Sequence, residues 1–276
     1  MFQEIKNKIA FVVVLYNQKF EDTNVYNSLL KNITCKNIYI WDNSESVDIN
    51  SHLFNEFGAY IYSSRNLGVS YAYNRAAEYA KAEGYEWIVL LDQDTTFSDC
   101  FLDELIKVTK ENPMIKLICP KHKLNNGLYL SPAKHKLLSP CLSKIAPPNK
   151  IEISKYAIIN SGLAISLDLF FEVGGYNEKV FLDYSDFQFI DRCCKKEKYA
   201  HCLNSICIQD FSDEIKDKHK LLVRFTFFCR SLKGIETTIP YTYIKYNFSA
   251  IKRCISLSIR LKSWEPIKIF YINYVK

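Results

Sequence analysis

Asp92 and Asp94 stand one residue apart at the end of a short apolar run, in the stretch WIVLLDQDTT. Two carboxylates that close suit a hard divalent cation, which prefers oxygen ligands and can bridge to substrate phosphates. The same pair could instead cap a turn, and chance alone supplies such a spacing in a chain of this length. Other polar residues widen the case. Asp42 follows the run NIYIW and could accept a hydrogen bond from a pyrimidine N–H, while Asn17, Asn66 and Asn74 could contact base, ribose or sugar. Downstream, in DYSD, either Asp183 or Asp186 could act as a general base. Together these parts would make a nucleotide-sugar transferase.

The elements needed to position them are legible as alternating apolar runs and helical spacings. Residues 9–15, 37–41, 59–62 and 88–91 read as strands, with helices expected at 21–31, 49–57 and 70–82. That βαβαβαβ pattern implies a parallel sheet with right-handed crossovers, covered on both faces. Asn17, Asp42, Asn66 and the Asp92/Asp94 pair then fall at strand C-termini or in the loops after them, where open α/β sheets bind ligands. Further on, helices are expected at 103–110, 167–173 and 187–195, and strands at 115–119, 156–159, 162–166 and 200–208. Residues 121–150 read as a long, Pro- and Lys-rich loop without periodicity.

Composition bounds the class. The 276 residues are 48% hydrophobic and 24% charged, enough for one large core and too apolar for a disordered chain. Ten scattered Cys form no C-x-x-C, which argues against a zinc knuckle and for a reducing, cytoplasmic setting. The N-terminal apolar run is too short for a membrane span. No dinucleotide glycine motif, P-loop or nucleophile elbow is found. The charge is uneven: residues 216–276 hold 13 Lys/Arg against three acids, and Phe248, Ile251, Ile255 and Ile259 fall on one helical face opposite Lys252, Arg253, Ser256 and Arg260. Such a helix can lie on an anionic membrane, or its apolar face can pack on the core or on a second copy of the chain. No nucleic-acid motif is visible.

Several of these stretches also occur together elsewhere. VVVLYN, IWDNSE, SRNLGVSYAYNRA, WIVLLDQDT, NSG and GGYNEKVFLDYSDFQFIDR follow one another across residues 9–213. In that order they resemble a family 2 glycosyltransferase of the GT-A fold, in the branch of bacterial rhamnosyltransferases. The resemblance implies an α/β chain with a Rossmann-like, mostly parallel sheet over residues 1–214 and a basic helical extension over 215–276. It implies inverting transfer of a sugar, rhamnose favoured, from a dTDP- or UDP-linked donor to a glycan or lipid-linked hydroxyl, in cell-surface polysaccharide synthesis. The protein would then work in the cytoplasm, on the inner face of the cell membrane.

Residue by residue, the resemblance puts Asp94 and Asp92 at an Mg²⁺ or Mn²⁺, with Asp92 also positioning the donor. Asp42 would hold the nucleobase, and Tyr16, Asn17, Arg65, Asn66, Gly68, Asn74 and Gln93 would line the donor side. Asp186 would be the base, with Asp183 as runner-up, and Gly162, Gly175 and Arg192 would lie on the acceptor side. Gln209 stands where relatives commonly carry a His, a poorer metal ligand but still an amide able to contact phosphate. Gln188 stands where many have Glu. Two other readings remain. DQDTT also satisfies the D-x-D-x-T of haloacid-dehalogenase-like phosphatases, with Asp92 as phosphoryl acceptor and Asp94 as acid/base, although there it normally follows the first strand. A non-catalytic relative acting as a membrane-bound partner is the other.

Overall fold

Strand β1 (Ile9–Leu15) is apolar at every position, because both of its faces are covered. Ala10 and Val12 enter one core, and Ile9, Phe11, Val13 and Leu15 enter the other. Around it run β2 (Ile38–Asp42), β3 (Ala59–Tyr62) and β4 (Trp87–Asp92), all parallel. The remaining strands are β5 (Thr95–Thr96), β6 (Leu117–Lys123), β7 (Tyr129–Ser131), β8 (Ala133–Lys136), β9 (Ser139–Pro140), β10 (Lys150–Glu152), β11 (Tyr156–Ala157), β12 (Leu163–Ser166) and β13 (Tyr199–Gln209). This computed structural model describes residues 8–136, 139–209, 217–236 and 240–276. The main sheet runs β10-β13-β6-β12-β4-β1-β2-β3, with β5 and β7 paired at its margin and β11-β8-β9 forming a small second sheet.

Eight α-helices are present among the described residues: α1 (Asn24–Ser28), α2 (Gly68–Ala82), α3 (Phe101–Glu111), α4 (Leu167–Glu172), α5 (Ser185–Cys193), α6 (Lys218–Gly234), α7 (Pro240–Leu261) and α8 (Glu265–Phe270). Helices α2, α4 and α5 cover one sheet face through Tyr73, Ala76, Ala77, Leu169, Phe170, Phe189 and Ile190. Helices α1 and α3 cover the other through Val25, Phe101, Leu105 and Val108. Each fully buried Val, Leu, Ile or Phe contributes roughly 1.5–3 kcal/mol. A surface pair such as Lys81–Asp168, at 2.8 Å, contributes on the order of 0.5 kcal/mol. Burial on both sheet faces therefore holds the fold, and the surface ion pairs are secondary.

Three expectations need correction. The helix expected at 21–31 is a 3₁₀ turn, the five-residue α1 and a second 3₁₀ turn. Thr23 caps α1 from its own side chain, and the chain turns again within two residues of Ser28. Residues 49–57 form 3₁₀ turns at Val47–Ile49 and Ser51–Leu53, because Asn50 between them is used to bridge other loops. The mostly parallel sheet is as expected, with β12 inserting antiparallel between β4 and β6. The segment 121–150 is not a bare loop, since β6 extends to Lys123 and β7, β8 and β9 follow.

Helices α6, α7 and α8 build a third core of Phe225, Phe228, Cys229, Tyr246, Ala250 and Cys254. That core closes over Val180 and packs against Tyr184, in the loop that leads into α5.

Candidate active site

The C-terminal ends of β1, β2 and β4 lie side by side, with Val14 opposite Asp92 and Leu15 opposite Asp42. Asp92 closes β4, and Asp94 follows in a turn held by α1. Asn24 Nδ2 donates to the Asp94 carbonyl at 3.0 Å, and the Val25 N–H donates to the Gln93 carbonyl at 3.3 Å. Asp186 arrives from the opposite side, in the first turn of α5. Three acids thus share one crevice. Burial pushes the Asp92 carboxyl up to about 7, the charges of Asp94 and Asp186 add to this, and the Tyr73 hydroxyl, 3.5 Å away, opposes it. Asp186 is also pushed up to about 7, chiefly by burial; the charge of Asp183 adds to that, and the Phe187 N–H, donating to its Oδ1 at 2.8 Å, works against it.

A relay of side chains sets the Asp94 carboxylate. The Ser161 hydroxyl donates to Thr95 Oγ1 at 2.7 Å, Thr95 donates to Gln209 Oε1 at 2.8 Å, and Gln209 Nε2 donates to Asp94 Oδ1 at 3.2 Å. The Asp92 N–H donates to the same Ser161 oxygen at 3.4 Å. Asn160 extends the scaffold, accepting from the Tyr176 hydroxyl at 2.6 Å and donating to Ser185 Oγ at 3.4 Å, beside Asp186. Tyr176 in turn stacks on Phe189 of α5 with ring centroids 4.2 Å apart. Ser161, Thr95, Asn160, Tyr73 and Tyr176 were not singled out from sequence. Apart from lying in NSG, DQDTT, GGYN and SRNLGVSYAYNRA, their side chains carry no sequence signal for these pairings.

The loop that leads to Asp186 is gripped by the C-terminal helices. Tyr184 takes φ +69°, an uncommon conformation for a bulky residue, and caps α5. Its ring meets Tyr246 edge-on at 5.2 Å and Phe228 at 5.8 Å. Arg253 of α7 lies over the Phe228 ring at 4.2 Å and reaches to 3.8 Å of Asp183 Oδ1. Asp183 is therefore tied to α7, whereas Asp186 faces the β4 acids.

The profile of glycosyl transferase family 2 matches residues 11–165, more than half of the chain and the span that carries Asp92 and Asp94. The chain belongs to glycosyl transferase family 2. The phosphatase reading of DQDTT falls with this, since the motif here follows the fourth strand of a family 2 sheet. This family 2 transferase is similar to a Shigella flexneri protein described as dTDP-rhamnosyl transferase RfbF, at 25% identity over 204 residues, 73% of this chain and 68% of that one. Among solved structures it is similar in fold to S. aureus TarS, with TM-score 0.53 and 14% identity over 83% of this chain; it spans only 40% of that longer chain. TarS 1-349 in complex with UDP-GlcNAc matches with TM-score 0.51 and 12% identity, over 96% of this chain and 79% of that one.

Within the family 2 transferase, the expected donor-side residues divide into open and engaged groups. Tyr16 and Asn17 are exposed at the end of β1, Arg65 is exposed before α2, and Asn66 is half-buried, its Oδ1 accepting from the Gly68 N–H at 3.3 Å. Gln93 is engaged, accepting from the Tyr16 N–H at 2.8 Å and donating to the Tyr16 carbonyl at 3.3 Å, so it closes the edge between β1 and β4. Asp42 is fully buried and accepts from the Ser44 N–H, Asn50 Nδ2 and the Tyr60 hydroxyl at 2.8–2.9 Å. These bonds tie the end of β2 to the loop that follows it and to β3.

Asn74 is engaged within the protein. It donates to the Tyr176 carbonyl and to Glu178, and accepts from the Tyr176 N–H, all at 2.8–2.9 Å. On the acceptor side, Gly175 packs against Asn74 and Gly162 against the Pro120 ring. Arg192 donates to the Gly174 and Gly175 carbonyls at 3.1 and 2.6 Å and pairs with Glu236. It is a clamp on the glycine turn. Gln188 is buried, with its Oε1 accepting from Asn177 at 3.2 Å.

The donor set limits what cation could sit here. Among the described residues no three His, Cys, Asp or Glu gather as a cage. Gln209 has its oxygen on Thr95 and its amide nitrogen on Asp94, so it braces the carboxylate. Asp92 and Asp94 alone fit Mg²⁺ or Mn²⁺ shared with a bound diphosphate, the usual arrangement for a cation held by one or two carboxylates.

Proposed function

We propose that this family 2 transferase is an inverting, metal-dependent hexosyltransferase that uses Asp186 as its base. The carrying observation is the convergence of Asp186 with Asp92 and Asp94, with Asp186 held near neutrality by burial. Tyr16 and Asn17 are the open surface for the nucleoside end of the donor. Asp94, braced by Gln209, and Asp92 would hold Mg²⁺ or Mn²⁺ at the diphosphate. When bound, the cation supplies charge neutralisation to the departing nucleoside diphosphate. Asp186 takes the proton of an acceptor hydroxyl, whose oxygen attacks the anomeric carbon from the face opposite the leaving group. Asp183 stays with Arg253 and shapes the loop.

The donor favoured is dTDP-rhamnose, after the S. flexneri relative, and the acceptor a glycan or lipid-linked hydroxyl in O-antigen or capsule synthesis. The test is release of nucleoside diphosphate from dTDP-rhamnose and from UDP-GlcNAc, with Mg²⁺, Mn²⁺ or a chelator, alongside calorimetric titration of each donor. Turnover of dTDP-rhamnose that the chelator abolishes is expected. Absence of both turnover and binding for every nucleotide sugar would overturn the reading.

A further inference from the structure

We propose that the outward face of α7, continued by the turn after it, docks on an anionic lipid surface and so seats the crevice against a bilayer. Helix α7 has two apolar faces. The inner one is satisfied: Tyr246, Ala250 and Cys254 are buried against Phe225 and Phe228. The outer one is surplus to that core. Phe248, Ile251, Ile255 and Ile259 follow one another at helical spacing with 49–71% of their surface exposed, and Trp264, 77% exposed, continues the row past the helix end. Scattered exposed apolar residues need no explanation, but a contiguous row of large ones marks a contact surface.

The chemistry of the contact follows from the charges beside it. The face turned to the core is Tyr246, Ala250 and Cys254, so Lys252 and Arg260, expected opposite the apolar row, share the solvent side with it, as does Lys262. Residues 248–276 contain six Lys/Arg against one acid, Glu265. That one acid is already paired, with Lys218 at 3.1 Å. A second copy of the chain packed on this face about a two-fold axis would bring like charges together. Anionic headgroups neutralise them, while the Ile, Phe and Trp side chains enter the acyl boundary. No helix of the described residues is long and apolar enough to cross a membrane, so α7 would lie flat. Its inner face meets Tyr184 and Asp183, which places the loop carrying Asp186 about one helix diameter, ~10 Å, from the headgroups.

The docking is independent of the sugar chemistry and is tested without it. The full-length protein is floated with vesicles of phosphatidylcholine alone or mixed with phosphatidylglycerol. Recovery at least about tenfold higher with the anionic vesicles, falling as salt rises from 0.05 to 0.5 M, is expected. The double substitution Ile255→Glu/Ile259→Glu, on exposed positions, should lower that recovery about tenfold with unchanged circular dichroism and Tm. Lys252→Glu/Lys262→Glu should erase the preference for anionic lipid. Equal recovery on both vesicle types, or undiminished recovery of the isoleucine variant, would overturn the proposal. So would a wild-type dimer in sedimentation velocity that the same substitution makes monomeric, with no lipid binding by either protein.

Discussion

Asp186 is a carboxylate held on the edge of ionisation, and that sets two measurable behaviours of opposite sign. As a base it must be charged, so kcat is expected to rise with pH through about 7 and level off above it. For stability the order reverses. The group goes from 3.8 when unfolded to about 7 when folded, so its favourable contribution is complete below pH 4 and is lost as pH rises through 7. Asp186→Asn is therefore expected to lower kcat by about 10²- to 10⁴-fold and, at pH 8, to raise Tm. A pH–rate profile and a thermal melt of the same variant check both. Loss of activity in Asp183→Asn with full activity in Asp186→Asn would move the base to Asp183. The acids themselves were legible in the sequence; their surroundings were not. The burial of Asp42 depends on Asn50 and Tyr60, eight and 18 residues away, and no spacing rule links the three.

At the scale of elements, the glycine turn before α5 is where small changes should be felt most. Gly175 has φ +62°, and a Cβ there would lie 2.6 Å from Asn74 Oδ1, the atom that accepts the Tyr176 N–H. Gly175→Ala is expected to cost about 1–3 kcal/mol in urea unfolding and to lower kcat more than it changes KM, because Tyr176 carries Asn160 and α5 with it. β1, β4 and α2 could be read from sequence because their apolar runs are long and their periods unambiguous. The turns around Phe20 and Val47 could not, since three- to five-residue pieces capped by Thr23 or Ser46 look like one amphipathic helix. Nor could the direction of β12: a four-residue strand covered on both faces reads alike either way.

Across the whole molecule, the C-terminal helices are part of the catalytic body as much as an extension of it. Ending the chain after Glu236 would remove Tyr246 and Arg253 and uncover Phe225, Phe228 and Val180. Such a truncation is expected to lower Tm by several degrees or prevent folding, and to abolish turnover even of a soluble acceptor; calorimetry and the diphosphate-release assay check this. The helical, basic character of this region was legible from its periodicity and charge, but the grip of Tyr246 on Tyr184 spans 62 positions and left no pattern. Among the described residues, no imidazole joins the crevice acids in a ligand cluster. His52 pairs with Glu21, His122 is buried and kept neutral in β6, and Gln209 holds the position beside Asp94. Among the described residues, a crevice furnished with carboxylate oxygens and an amide offers no His or Cys with which to attract zinc, copper or nickel. For the cation proposed above, discrimination between metals would then be built in by omission, and would rest on softness and not on size.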